Sequence, residues 1–492
     1  MPSSHREEPA IPSTSDRPNI LLLCTDQQRF DALGAAGNPA ISTPHLDRLA
    51  ADGARFTGCY VQAPVCGPSR ASLMTSRYAH QHGEWANGVD LAPGTRLFTA
   101  DLADAGYDCG LVGKLHLGAA QGGRVEPRVE DGFRVFRWAH DPYIPSDQNS
   151  YQRWLGQQDP AELQRCLAEG GAAFDRLPRA LHYSHWVAEE TISYLLEGRD
   201  PDKPFCLIAN FFDPHHGFGA PAEYRERYDP ETLPRPVTTT DELADKPAIY
   251  TEASIKSYAG TMPGFRDHTA EEIQEIRAQY YAMVTLVDDE VGRILAVLSE
   301  QGLADNTVVL FTSDHGELLG DHQLLLKGPM MFDCSVKVPL LVRWPGVVPA
   351  GTVHESLVEW IDLAPTLLDA AGVSPQRPAQ GRSLLPLLTG DRDWVDRDWV
   401  LSEYRNSGHP YDPPVHTTML RRGPHKLVVH HGAPATARER DGELYDLDSD
   451  PDELVNLFHQ PRAGELRVSL QEALIDVLVA TEDRFRPRVS DF

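Results

Sequence analysis

Five short stretches of this 492-residue chain carry side chains able to do chemistry together. The first is Cys66-Gly67-Pro68-Ser69-Arg70, a loop turning into a helix. Pro68 suits a first helical position, because its missing N–H has no intrahelical partner there. Cys66 then falls just ahead of a helix N-terminus, where free backbone N–H groups and the macrodipole favour an anion. Arg70, one turn on, can point a fixed fork of donors at the same place. Taken alone, these five residues fit a small buried cysteine and a surface arginine equally well. Only three residues separate Cys66 from Arg70, which excludes a Cys-x5-Arg phosphatase loop.

The second stretch is Asp26-Gln27, directly after the apolar run N-I-L-L-L-C. Such a run marks a strand buried on both faces. A carboxylate at its carboxyl end lies where open α/β sheets place their sites, although a capping or turn aspartate is the plainer reading of the position. Lys114 and His116 form the third. Two apart on an extended segment, they face one side and offer a fixed charge beside a proton carrier tunable near neutrality. Asp213-Pro214-His215-His216 and Ser313-Asp314-His315-Gly316-Glu317 complete the set.

The elements that must position these groups are legible around them. Buried strands are expected at 19–24, 107–112, 204–212 and 307–311, and each presents polar or ionisable groups at its carboxyl end. Isolated surface carboxylates do not give that recurrence. Another strand covers 55–61 and leads into the Cys66 loop, and a further one covers 338–345. Caps and periodicity predict helices at 43–53, 97–105, 182–197, 271–302 and 358–371. Residues 120–180 read as irregular with one helical patch near 161–168, and 229–270 as a polar excursion over the site's mouth. After a linker-like passage at 375–397, alternating runs at 399–404, 417–421 and 425–430 read as antiparallel strands, followed by a helix near 464–481. His80 and His82 are a weak metal signal without further partners.

A net charge of −27 argues against nucleic acid or an anionic membrane as partner. No run of 18 apolar residues is present, so no membrane span is expected. The seven cysteines are scattered singly, which favours a reducing compartment, and a cytoplasmic location is expected. Residues 1–17 read as a disordered leader.

Three segments together carry a resemblance: V-C-G-P-S-R-A-S-L-M-T, A-G-Y-D-C-G-L-V-G-K-L-H-L-G and S-D-H-G-E-L-L-G-D-H-Q-L-L-L-K. They resemble the signatures of sulfatases, formylglycine-dependent members of the alkaline phosphatase superfamily, over about residues 18 to 482. The resemblance implies an α/β fold with a large, mostly parallel mixed sheet flanked by helices and a smaller C-terminal subdomain of antiparallel sheet and helix. The boundaries become 1–17, 18–390 and 391–492. It implies that Cys66 is oxidised to formylglycine (3-oxoalanine) by a maturation enzyme reading Pro68, Ser69 and Arg70. Asp26, Asp314 and His315 would hold one divalent metal together with position 66. Calcium is the first expectation, and the nitrogen ligand also admits manganese. Gln27 stands where many sulfatases have a second aspartate and is left out of the ligand set.

By the same resemblance, Arg70, Lys114, His116, His215 and Lys327 are catalytic and Asn87 lines the substrate pocket. The activity implied is hydrolysis of a sulfate monoester to an alcohol and sulfate. His116 would take a proton from the formylglycine's second hydroxyl, and His215 or Lys327 would assist the leaving alcohol. The Asp314-His315 pair resembles that of choline sulfatases and phosphonate monoester hydrolases, so a phosphonate monoester or phosphodiester hydrolase is the alternative. A non-catalytic metal-binding homologue with unmodified Cys66 is a further one. The expected partners are a small sulfated substrate, the formylglycine-generating enzyme and other copies of the chain in a homo-oligomer; no nucleic acid and no membrane are expected.

Overall fold

The computed structural model describes residues 17–432 and 441–482. The expected leader lies outside the described residues except for Arg17. Nine strands form one sheet: β1 (Asn19–Thr25), β2 (Ala54–Tyr60), β3 (Asp108–Gly113), β4 (Val135–Trp138), β5 (Phe205–Asn210), β6 (Thr307–Ser313), β7 (Lys337–Arg343), β8 (Thr352–His354) and β9 (Val358–Glu359). Their order is β9-β2-β7-β6-β1-β5-β3-β4, with β8 also paired to β2. Only β7 runs antiparallel to its neighbours, β2 and β6.

The alternating side chains of β1 explain its central place. Ile20, Leu22 and Cys24 enter the core on one face, and Leu21 and Leu23 the core on the other. Burying each large aliphatic side chain stabilises by roughly 1.5–3 kcal/mol. The register then aligns the strand ends. Thr25 pairs with Ser313, Cys24 with Asn210, and Asn210 in turn with Gly113. The residues that follow β1, β3, β5 and β6 therefore emerge side by side on one edge.

A 31-residue helix, Ala270–Glu300, covers one face. Thr269 and Glu272 form its capping box. Its Tyr280 hydroxyl donates to the Gln27 carbonyl (2.7 Å) and accepts from the Arg29 N–H (2.8 Å), which braces the turn after β1. A second, four-stranded antiparallel sheet runs β10 (Trp399–Arg405), β11 (His416–Arg422), β12 (His425–His431), β13 (Asp441–Asp446). Leu401, Leu420, Leu427 and Leu444 pack there against Leu470, Leu474 and Val477 of the helix Gly464–Ala480.

Three expectations about elements change. The helical patch expected near 161–168 is the helix Pro160–Glu169, but it is flanked by two further helices, Ser150–Gln158 and Gly171–Asp175, where irregular chain was expected. Asn149 and Asp159 cap the first two in chain order through their side chains, and only a few apolar residues such as Tyr151, Leu155 and Cys166 are buried, so periodicity was faint and the caps were the signal. The helix expected at 358–371 is shorter, Leu363–Ala370, because Val358 and Glu359 pair with β2. The helix after the cysteine loop begins at Cys66 itself and runs to Thr75, with Pro68 inside its first turn. Among the described residues no helix is long and apolar enough to cross a membrane, and none of the seven cysteines is in a disulfide.

Candidate active site

The sheet edge gathers four ligand-type side chains. Asp26, Cys66, Asp314 and His315 are all buried, and one ligand atom from each lies within 4.8 Å of the others. The Sγ of Cys66 is 3.3 Å from His315 Nε2 and 3.7 Å from Asp26 Oδ1. His315 Nε2 is 3.6 Å from a carboxylate oxygen of both Asp26 and Asp314. His315 donates its Nδ1–H to the Gly316 carbonyl at 2.8 Å. That bond turns the Nε2 lone pair toward the cluster, the usual arrangement of a metal-ligating imidazole. Asp314 and Cys66 raise His315's affinity for a proton against its burial, and the negative charge responsible is what a divalent cation would take up. Two carboxylates, a sulfur and a nitrogen, all dry and convergent, fit a divalent metal.

Cations surround this cluster. Arg70 donates from Nε to Asp314 (2.7 Å), from Nη2 to Asp26 (3.4 Å) and from Nη1 to the Lys114 carbonyl (3.1 Å). Its fork therefore ties three strand ends and the cysteine helix together. Lys114 Nζ reaches Asp26 at 2.7 Å, and Lys327 Nζ reaches Cys66 Sγ at 2.9 Å. Burial opposes ionisation of Cys66, but Lys114, Lys327 and His315 outweigh it and pull the thiol well below its ordinary pKa. Burial and Cys66 likewise push Asp26 up, and Lys114, His215 and Lys327 hold it below the usual carboxylate range.

Lys114 and His116 reach the site by a different route from the one their spacing implied. The strand ends at Gly113, and Gly113 (φ +97°) and His116 (φ +60°) both take left-handed backbone, so the segment is not extended. Gly113 has no alternative, since a Cβ there would lie 2.0 Å from the Asn210 carbonyl oxygen. Glu126 fixes the turn by accepting the His116 N–H at 2.9 Å, and also the Leu117 N–H. Burial and the nearby Lys114 lower the pKa of His116 to about 4, against the pull of Cys66. His215 follows the cis Asp213–Pro214 bond and donates its Nδ1–H to the His216 carbonyl at 2.9 Å; burial and Lys327 lower its pKa to about 4.

Asn87 holds the helix start, accepting the Gly67 N–H on Oδ1 at 3.0 Å. Gln27 is not idle. It donates from Nε2 to Glu317 at 2.5 Å and accepts from His216 Nδ1 at 3.1 Å, and its N–H donates to Asp314 at 3.0 Å. His80 and His82 stand apart from the cluster: His80 pairs with Glu403 at 2.5 Å, and His82 Nε2 lies 3.1 Å from both Ser72 Oγ and the Pro68 carbonyl.

Sequence reasoning missed His140. It follows β4, a four-residue strand too short and too exposed to read as buried. Its ring meets that of His116 edge-on, with centroids 4.3 Å apart. Tyr258 and His409 were missed as well. They come from the 229–270 excursion and from the loop after β10, and only tertiary packing brings them to the site.

The comparisons agree with this geometry. Residues 18–373 match the family model "Sulfatase", and residues 320–480 match "N-sulphoglucosamine sulphohydrolase, C-terminal". The chain is 29% identical to an arylsulfatase of Clostridium perfringens, covering 95% of this chain and 96% of that protein. It is 31% identical to the multifunctional alkaline phosphatase superfamily protein PehA of Trinickia caryophylli, over 93% of this chain and 95% of the relative. The crystal structure of the phosphonate monoester hydrolase of Agrobacterium radiobacter superposes with a TM-score of 0.81 at 26% identity, over 95% of this chain and 97% of that one. With its family model, its mixed sheet and its buried cluster in agreement, the chain belongs to the sulfatase family of hydrolases.

Proposed function

We propose that this protein hydrolyses a sulfate monoester, using a formylglycine derived from Cys66 and one divalent metal held by Asp26, Asp314, His315 and position 66. The observation that carries the reading is Cys66 itself, buried at a helix start with Lys327, His315 and Asp26 all on its sulfur. When present, the metal supplies Lewis acidity and formylglycine supplies a hydrated aldehyde as nucleophile. Calcium is the metal we favour, with manganese as the second choice.

The chain's own groups do the rest. Lys114, Lys327 and the N–H groups at the start of the Cys66 helix receive the oxygens of the sulfate and the charge that develops on them. Arg70 keeps Asp26 and Asp314 fixed. His116, neutral above about pH 4, accepts a proton at position 66. Lys327, whose ammonium the charges at Cys66, Asp26 and Asp314 keep protonated against its burial, hands a proton to the departing alkoxide. Alternatively His215 does so in its protonated form, since its neutral ring keeps its one proton on Nδ1 at the His216 carbonyl (2.9 Å). Asn87 lines the pocket from its place at Gly67. Seven cysteines without a disulfide agree with a cytoplasmic setting.

A second reading, hydrolysis of a phosphonate monoester or phosphodiester, is favoured by the likeness to the Agrobacterium radiobacter enzyme. The test compares an aryl sulfate with an aryl phosphonate monoester of the same leaving group, on protein whose residue-66 peptide has the aldehyde mass. Dominant sulfate turnover supports the first reading, and dominant phosphonate turnover replaces it with the second.

A further inference from the structure

A continuous ladder of rings climbs from the floor of the site to its rim. Phe212 contacts His215 (centroids 4.5 Å apart), His215 stacks on His216 (3.9 Å), His216 meets Tyr258 (5.2 Å), and Tyr258 meets His409 edge-on (5.0 Å). Its foot is buried and its last ring is open: Phe212 is 4% exposed, His215 and His216 are half-buried, Tyr258 is 8% exposed, and His409 is open to solvent. The ladder starts at the reacting cluster: Lys114 Nζ, which bonds Asp26 at 2.7 Å, lies 5.4 Å from the Phe212 ring, and Gln27, which accepts from His216, donates its N–H to Asp314 at 3.0 Å.

Each upper ring is held by something local. Gln27 fixes His216 by accepting from its Nδ1, and Gln27 is itself anchored on Glu317. Tyr258 sits in a tight turn where Tyr258 and Ala259 both have φ of +52°. Two successive non-glycine residues in left-handed backbone cost about 1–3 kcal/mol each and persist only where their surroundings enforce them. Here bridges between Ser257 and Met262 and between Lys256 and Pro263 close the turn. His409 rides on the loop joining β10 to β11. The same loop accepts the Asn87 N–H on the Ser407 carbonyl at 2.8 Å, so the second sheet is tied to the nucleophile's surroundings.

We infer that His216, Tyr258 and His409 form the alcohol-side subsite and select an aryl ring bonded through oxygen to the sulfate. This rests on the hydrolytic reading above and adds the residues that choose the substrate. The floor is cationic through Lys114 and Lys327 and receives the sulfate; the same charges repel an ammonium-bearing alcohol. The wall is a run of ring edges and faces, and an added flat ring extends it by one more offset or edge-on contact.

The test uses two sulfonates that keep the anionic head and lack the scissile ester oxygen. Phenylmethanesulfonate mimics a phenyl sulfate, and ethanesulfonate mimics a methyl sulfate. Their dissociation constants are measured by calorimetry on full-length, formylglycine-bearing protein. Wild type is expected to bind the phenyl ligand about tenfold tighter or more, and Tyr258→Ala and His409→Ala each to cut that ratio about three- to tenfold. A wild-type ratio near one, or a ratio unchanged by both substitutions, overturns the inference. His409 is exposed at the rim, so its variant reads the wall even if Tyr258→Ala fails to fold. Failure of the hydrolytic reading shows separately, as wild-type protein that turns over no sulfate ester while the binding ratio persists.

Discussion

Lys327 Nζ lies 2.9 Å from Cys66 Sγ and 3.0 Å from His315 Nε2, although it stands 261 positions further along the chain than the cysteine. The ammonium is buried beside a nucleophile position, where low dielectric strengthens its action on developing negative charge. Lys327→Met is expected to lower kcat/KM for an aryl sulfate by about 10²–10³-fold. Cys66→Ala is expected to lower it by about 10³-fold or more. Full turnover in Cys66→Ala would sink the nucleophile assignment.

Arg70 is a brace for the fold as much as a part of the site. Its guanidinium is 3% exposed and contacts Asp26 and Asp314, both fully buried. Arg70→Met strands buried Asp314 without its cation, while Asp26 keeps Lys114 at 2.7 Å. We expect a loss of about 3–5 kcal/mol in unfolding free energy, read as a lower urea midpoint at unchanged slope. Added divalent cation should recover part of it.

His116 sets where activity falls off in acid. Burial first, then Lys114, lowers its pKa from 6.5 to about 4, so it is a neutral base throughout the range from about 4 upward. The acid limb of the kcat profile is therefore expected near pH 4 and not near 6.5. A bound divalent cation pushes in the same direction. An acid limb centred on 6.5 that disappears in His116→Ala would show that the imidazole titrates normally.

His82 predicts an acid-dependent stability. Its Nδ1 accepts the Glu84 N–H at 3.1 Å, so the proton of the neutral ring sits on Nε2, facing the Pro68 carbonyl and Ser72. Burial lowers its pKa from 6.5 to about 3. Between those values the unfolded chain binds a proton that the folded chain refuses. This group's contribution is thus complete above pH 6.5 and declines by about 1.4 kcal/mol per pH unit as pH falls through the window. His82→Asn should flatten the acid limb of urea midpoint against pH by about one proton, measured as the difference from wild type.

Metal removal should destabilise as well as inactivate. Protein treated with EDTA is expected to lose turnover and melt at a lower temperature, and calcium or manganese at about 100 times its dissociation constant should restore about 2.7 kcal/mol. Equal melting temperatures with and without the ion would deny the cluster its role. The ion giving the larger shift together with the higher kcat identifies the metal.

The second sheet matters to these tests because its loops enter the site. Ser407 and His409 belong to the segment after β10, and Asn87 and Tyr258 are the residues they engage. Substitutions there are expected to change substrate preference before they change the reaction, since the cluster of Asp26, Cys66, Asp314 and His315 lies at the other end of the ring ladder.

The sequence by itself determined the strands that carry the chemistry and the residues at their ends. A continuous apolar run has to be buried on both faces, so N-I-L-L-L-C and T-V-V-L-F specified central strands, and the polar groups after them had to emerge at the sheet edge. Residue by residue, Asp26 and Cys66 had plainer readings as a cap and a buried thiol; the resemblance of the motifs singled them out with Asp314, His315 and Lys327, and the structure brings the five together. What only the tertiary structure decided is everything that depends on two distant segments meeting. The left-handed turn at Gly113–His116 follows from the close approach of the Asn210 carbonyl, which no local pattern encodes. Gln27's bridge from Glu317 to His216 needs β1, β5 and β6 in register. The wall of His216, Tyr258 and His409 joins residues nearly two hundred positions apart through ring packing, and packing leaves no periodic trace in a sequence.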